Sequence, residues 1–319
     1  MDTEKILKTI AQNKTFLVTT HVNPDPDALA SQLVIAMYLK ALGKKVFAVN
    51  EEHVPRRFCF LPGVKMIKKV DLKKRVKCDV AIVLDCGDFD RIGKVAEALD
   101  EKTTCLNIDH HFTNTLFGDV NMVNPNASST AEVVFGLLQR AKFSLTKNMA
   151  ILLYLGIMAD TGCFRYANTT AHTHKVVSRL LQFGFSVSDL YRKLYESISL
   201  QDLQYFTKVA NTFRSFCKGK VLCLELRKRV LAKFSDEFDL RDKIFRYLRA
   251  IKEVEVIVII TEESKNKTRV NLRSQGEVNV GKLACQFNGG GHKRASGCTI
   301  EGDIATAKRK ILAKIRQDL

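Results

Sequence analysis

Three apolar segments of the chain, TFLVTTHV (15–22), CDVAIVLDCGD (78–88) and TTCLNIDHH (103–111), run out directly into histidines and aspartates. Near-continuous hydrophobic strands of this kind are buried on both faces, which requires a parallel sheet covered by helices on each side. The intervening sequence reads as helix at DALASQLVIAMYLKALG (27–43) and has an amphipathic stretch at DRIGKVAEAL (90–99), with a further strand at KKVFAVN (44–50). The pattern predicts an α/β fold with a doubly wound, mainly parallel sheet. In such a sheet the carboxyl ends of the strands open on the ligand crevice, so residues placed there meet in space however far apart they lie in sequence.

Three helical stretches follow, 129–141, 147–160 and 169–184, the first opening with a capping box from Ser129 to Glu132. They complete an N-terminal domain over 1–185. Polar, helix-forming sequence over 186–211 predicts a helical linker. Strand-like KVLCLEL, VEVIVII and KTRVNLRS and a closing basic helix then predict a smaller C-terminal α/β domain over 212–319. Two domains suit a chain of 319 residues, and each is large enough to bury a core without disulfides or structural metal. The nine cysteines are scattered singly with no C-x-x-C pair, the pattern of reduced core thiols.

The net charge is +17, of which +11 falls after residue 185. A basic balance suits a polyanionic ligand, although a run such as Lys73, Lys74, Arg75 and Lys77 is by itself an ordinary solvated face. The longest apolar run, 151–159, is far short of the roughly 20 residues that cross a bilayer. The N-terminus carries acids at Asp2 and Glu4 and no apolar core of signal-peptide length. The expectation is a cytoplasmic protein with no membrane partner.

His21, Asp25 and Asp27 sit where a strand gives way to a helix, Asp85 ends the second strand, and Asp109, His110 and His111 end the third. Asp160 closes a helical run before Thr161 and Gly162. A lone aspartate after a strand is commonly a turn former or helix cap. Four such positions at one end of a sheet call for more, because buried carboxylates repel one another unless divalent ions offset the charge. His21, Asp25, Asp27, Asp85, His110 and Asp160 supply donors for two ions if one carboxylate is shared. His172 and His174 are two residues apart on a helix, point to different faces, and read as surface or packing residues; His53 reads as a loop residue. Near the C-terminus, Gly289, Gly290 and Gly291 allow backbone amides to approach an anion, and His292 and Arg294 can add charged hydrogen bonds to phosphate.

HVNPDPDA, VLDCGD, DHH and GIMADTG resemble, in order, the four motifs of the DHH phosphoesterase superfamily, and GGGHKRASG resembles the substrate loop of the DHH-associated C-terminal domain. VNLRS, with Arg273 and Ser274, resembles the strand that faces that loop. The resemblance implies two Mn2+ ions, with Mg2+ or Co2+ as alternatives. It places His21, Asp25 and Asp85 around one ion and Asp27, Asp85, His110 and Asp160 around the other, with Asp85 as the bridge. It also implies that Asp109 orients a ligating histidine and that His111 contacts the reacting phosphate. Arg165, in DTGCFR, is a candidate contact to phosphate or to a metal ligand. Pro26 stands where the family often has Gly, which stiffens the turn between two ligands.

The pair of domains resembles the nanoRNase and pAp phosphatase group, hydrolases that degrade very short RNA and remove phosphate from 3′-phosphoadenosine 5′-phosphate. The implied reaction is two-metal activation of water, and the implied partners are short oligonucleotides or nucleotide phosphates, with a homodimer left open. A phosphodiesterase for cyclic dinucleotides or linear pApA is the alternative within the superfamily. RecJ-type exonucleases share the motifs but carry further nucleic-acid-binding domains, and family II pyrophosphatases lack the glycine-rich loop. A non-catalytic RNA-binding protein is the alternative from another class, and the intact donor set argues against it.

Overall fold

Six parallel strands form the first sheet, in the order β3-β2-β1-β4-β5-β6. They are β1 (Thr15–Thr20), β2 (Lys45–Asn50), β3 (Ile67–Lys69), β4 (Val80–Leu84), β5 (Thr104–Asp109) and β6 (Val120–Val123) in a computed structural model that describes residues 2–196, 198–235 and 238–319. From β1 the chain moves to β2 on one side and later returns to β4 on the other, so the crevice of the sheet opens at the carboxyl ends of β1 and β4. β1 is buried from Phe16 to Thr20 and β4 along its whole length, as expected for strands covered on both faces.

The helices of this unit are α1 (Thr3–Gln12), α2 (Pro26–Ala41), α3 (Thr130–Arg140), α4 (Lys147–Asp160) and α5 (Ala171–Leu181). α2 and α4 are buried around most of their circumference, which is why their sequences read as continuous apolar runs instead of one-sided stripes. Asp25 is the N-cap of α2, its Oδ1 accepting from the Ala28 amide at 3.0 Å, and Pro26 occupies the first turn. A proline there costs no hydrogen bond, so the departure at Pro26 is a helix start with its φ already set.

The stretch 90–99 departs from expectation. It forms 3-10 turns over Phe89–Ala98, interrupted at Gly93, where φ is +58°. A side chain at Gly93 would strike Glu51 and Val22. The break lets the Arg91 carbonyl accept from the Val22 amide at 2.8 Å and the Lys94 amide reach Glu51 Oε2 at 2.8 Å, bonds that a continuous α-helix would forfeit.

The chain divides into two units, Met1–Leu194 and Tyr195–Leu319. The segment 186–211, read as a linker, is shared between them: α6 (Val187–Tyr195) lies almost wholly in the first, and α7 (Leu200–Ala210) in the second. Ser197 of that segment lies outside the described residues, as do Met1, Asp236 and Glu237.

The second unit contains β7 (Arg214–Phe216), β8 (Val221–Leu226), α8 (Lys228–Leu231), α9 (Leu240–Leu248), β9 (Val256–Ser264), β10 (Lys267–Ser274), α10 (Val280–Cys285), β11 (Gly290–His292), β12 (Ala295–Glu301) and α11 (Ile304–Asp318). Its sheet runs β11-β12-β10-β9-β8-β7, antiparallel except where β8 meets β9. One face packs on α10 and α11 around Val258, Val270 and Ile311, and the other packs on α9 around Leu224, Ile244 and Ile259. Among the described residues no helix is long and apolar enough to cross a membrane.

Candidate active site

Three adjacent strands deliver their ends to one place. His21 follows β1, Asp85 follows β4, and β5 ends on Asp109 with His110 and His111 next. Asp85 adopts φ +56°, with its amide bonded to the Ile108 carbonyl at 3.0 Å. The left-handed conformation costs most L-residues roughly 1–2 kcal/mol, less for aspartate, a strain that folded proteins retain mainly at functional positions. Asp160, the last residue of α4, precedes a second strained stretch, in which Gly162, Cys163 and Phe164 have φ of +56°, +61° and +64°.

Both buried histidines have their tautomer set by the backbone. His21 Nδ1 lies 2.9 Å from the Val22 carbonyl and His110 Nδ1 3.3 Å from the Ala127 carbonyl. A carbonyl only accepts, so each Nδ1 carries the proton and each Nε2 is turned inward. His21 Nε2 is 3.6 Å from Asp85 Oδ2, and His110 Nε2 is 3.7 Å from Asp85 Oδ1 and 3.5 Å from Asp160 Oδ2. Donor atoms of His21, Asp25 and Asp85 lie within 4.8 Å of one another, and so do those of Asp27, Asp85 and His110. Asp85 belongs to both groups.

The electrostatics are those of a concentrated negative site. Burial, then Asp85 and Asp160, hold Asp27 well above the usual carboxylate range. Burial pushes Asp160 up to about 6, an effect that His110 opposes and Asp25 and Asp85 reinforce. Burial would raise Asp85 too, but its contact with His21 and the charges of His111 and His110 bring it below the usual range. Burial lowers His110, yet Asp160, Asp85 and Asp27 together carry it up to about 9. Clustered carboxylates, with two imidazoles presenting Nε2, form a hard-to-borderline donor set suited to divalent first-row cations.

Asp109 Oδ1 is 2.7 Å from His111 Nδ1, and Asp109 Oδ2 accepts from Asn114 Nδ2 at 2.7 Å. Asn114 Nδ2 also reaches Asn107 Oδ1 and the Cys86 carbonyl. Asp109 therefore orients His111, the histidine expected at the phosphate, whereas His110 is oriented by a main-chain carbonyl. The partner of Asp109 is thus the second histidine of the pair.

Several polar contacts around the carboxylates had no sequence signal. The amides of Thr130 and Ala131, at the start of α3, donate to Asp27 Oδ2 and Oδ1 at 2.7 and 2.9 Å. Thr130 Oγ1 donates to Asp85 Oδ1 at 2.8 Å. Asn168 Nδ2 donates to the carbonyls of Ser128 and Asp160, at 2.8 and 3.2 Å. Arg165 is exposed, its Nε bonded to the Gly162 carbonyl at 2.8 Å. His172 is an exposed residue 4.0 Å from Glu132, and His174 packs against the Phe164 ring.

In the second unit, Gly289, Gly290, Gly291 and His292 lead into and form β11, whose pairing with β12 closes a tight hairpin over Lys293 and Arg294. A side chain on Gly289 or Gly291 would collide with the backbone of β12, whereas a Cβ on Gly290 would meet nothing within 4 Å. Two of the three glycines therefore serve strand packing, and Gly290 alone leaves open space. The Arg273 guanidinium lies 4.8 Å from the centre of the Phe245 ring. Ser274, the next residue in β10, is buried on the opposite face, its amide bonded to the Arg294 carbonyl.

The profile described as "DHH family, N-terminal domain" matches residues 15–157, and the DHHA1 domain matches residues 227–319. Over 308 residues the chain is 30% identical to the bifunctional oligoribonuclease and PAP phosphatase NrnA of Thermus thermophilus, covering 95% of this chain and 89% of that one. It is 31% identical to the Bacillus subtilis protein of the same name, covering 98% and 99%. A crystal structure of an exopolyphosphatase-related protein from Bacteroides fragilis superimposes with a TM-score of 0.85 at 27% identity, covering 98% of this chain and 95% of that one.

Proposed function

The chain belongs to the DHH family of phosphoesterases, and on that footing we propose that it hydrolyses very short RNA and 3′-phosphoadenosine 5′-phosphate, using two Mn2+ ions. The observation that carries this reading is the arrangement around Asp85: two histidines with backbone-fixed tautomers turn Nε2 toward one carboxylate that belongs to both donor groups. His21, Asp25 and Asp85 would hold one ion, and Asp27, Asp85, His110 and Asp160 the other. When bound, the pair supplies Lewis acidity and a nucleophilic water at neutral pH.

The rest of the chemistry falls to the chain. Asp109 accepts from Nδ1–H of His111 and fixes the plane of the ring, so that Nε2–H of the imidazolium form would donate to a phosphoryl oxygen. His292 and Arg294, with the amide of Gly290, would take the phosphate of the nucleotide being retained, and Arg273 would add a further cation. Arg165 would answer negative charge on the substrate. The domains in this reading are a catalytic, metal-binding half over 1–185 and a substrate-binding half over 212–319. The names of the Thermus and Bacillus relatives, matched over nearly the whole chain, support both activities.

Turnover of a panel containing dinucleotides, pentamers, a 20-residue strand, 3′-phosphoadenosine 5′-phosphate and cyclic dinucleotides, with Mn2+ present and after chelation, tests the proposal. Dimers to roughly pentamers should be hydrolysed faster per molecule than the long strand, because binding along a strand needs a track of stacking platforms and cations. Exclusive turnover of cyclic dinucleotides, or processive degradation of the 20-residue strand at an equal or higher rate, would replace this reading.

A further inference from the structure

The proposed ligands come from the ends of five separate elements, and one short segment, 127–131, touches the surroundings of most of them. The Ala127 carbonyl fixes His110, and the Ser128 carbonyl accepts from Asn168, which also bonds the Asp160 carbonyl. The amides of Thr130 and Ala131 take one oxygen each of Asp27, and the Thr130 hydroxyl takes Asp85 Oδ1. Thr130 thus hydrogen-bonds both the carboxylate common to the two donor groups and a carboxylate of one group alone.

Helix capping does not explain its hydroxyl. That task belongs to Ser129, whose Oγ accepts from the Glu132 amide at 3.1 Å. Thr130 is the first residue of α3, is wholly buried, and directs its hydroxyl away from the helix onto Asp85. A carboxylate oxygen accepting one hydrogen bond keeps a second lone pair, so the bond fixes the direction of Asp85 without using up the atom. The two amides act likewise on Asp27, with the positive end of α3 behind them.

We propose that Thr130 is a positioning residue: it sets the angle and separation of Asp85 and Asp27, and so the spacing at which two divalent cations can be held. The inference rests on the two-ion reading above. Losing an outer hydrogen bond of this sort commonly lowers metal affinity or activity about 10–100-fold.

The test is Thr130→Val, which keeps the shape and removes the hydroxyl, beside Thr130→Ser, which keeps the hydroxyl. Calorimetric titration of the metal-free full chain with Mn2+ should show the valine variant binding about 10–100-fold more weakly. Its kcat on a dinucleotide should fall while KM stays within about threefold, since no substrate contact is removed. The serine variant should recover both. Thr130→Ala serves the same purpose if valine disturbs the start of the helix. A folded valine or alanine variant with wild-type Mn2+ affinity, or a serine variant as weak as valine, overturns the positioning role alone. Wild-type protein that binds no Mn2+ overturns the two-ion reading and this inference with it.

Discussion

Gly156 on α4 passes so close to Asp27 on α2 that a Cβ at Gly156 would stand 2.6 Å from Asp27 Oδ1 and 2.7 Å from the Ala131 methyl. Both helices are buried where they cross, so neither can retreat without opening the core. The glycine sits mid-helix, where alanine is ordinarily better by roughly 1 kcal/mol. Here space decides over propensity.

Gly156→Ala should therefore lower activity at least about tenfold while changing stability by no more than about 2 kcal/mol, since helix propensity partly offsets overpacking of roughly 1–3 kcal/mol. Activity on a dinucleotide and a denaturant midpoint, measured together, check this. Full activity with an unchanged midpoint would mean that Asp27 can move aside freely.

Asp85→Ala and Asp85→Asn should both abolish Mn2+-dependent hydrolysis without unfolding the protein. They should differ in stability. Asparagine tolerates the left-handed conformation that Asp85 adopts, whereas alanine bears a cost of roughly 1–2 kcal/mol. Urea unfolding of the two variants would reveal the difference, and residual activity in either one would remove Asp85 from the shared position.

Arg294→Ala should weaken capture of a nucleotide more than of metal. A charge-assisted hydrogen bond contributes about 1.5–3 kcal/mol, or roughly 10–100-fold in Kd. Titrations with 3′-phosphoadenosine 5′-phosphate and with Mn2+ separate the two effects. A fall in Mn2+ affinity at constant nucleotide affinity would reverse the roles proposed for the two halves.

The second unit should be acid-sensitive through Asp202. Burial tends to raise this carboxyl, but bonds from the Ser235 hydroxyl and amide and from the Ser199 hydroxyl bring it below the usual range. A folded-state value below the unfolded one, about 3.9, means that the associated stability is fully present above that pH. It is lost as pH falls through the folded-state value. Thermal midpoints from pH 6 to 2.5 should fall less steeply in Asp202→Asn than in wild type, and parallel curves would exclude the linkage.

The convergence of these side chains was legible because most of them stand where an apolar strand or helix stops, and the parallel topology then fixes which ends are neighbours. Asp25, Asp85 and His110 required nothing further. Thr130, Asn114 and Gly156 were not legible, for chemical reasons: a threonine at a helix start, an asparagine in a loop and a glycine in an apolar helix have the same local signature whether or not they touch a carboxylate. Asp109 was read as orienting a ligand because sequence shows that it precedes two histidines without showing which ring it meets. Ser274 could have been separated from Arg273 at the outset, since adjacent residues of a strand point to opposite faces.

His21, Asp85 and His110 directly follow β1, β4 and β5, adjacent strands of one hydrogen-bonded ladder. The ladder acts as a ruler, with divisions of about 4.8 Å that main-chain bonding does not allow to stretch. In the two-ion reading proposed above, cations of different radius would be accommodated by Asp25 before α2 and Asp160 at the end of α4, while the donors that follow the strands, and Asp27 held by the amides of Thr130 and Ala131, would stay in place. Exchange of Mn2+ for a smaller ion would then be a matter of two side chains swinging inward against a fixed gauge.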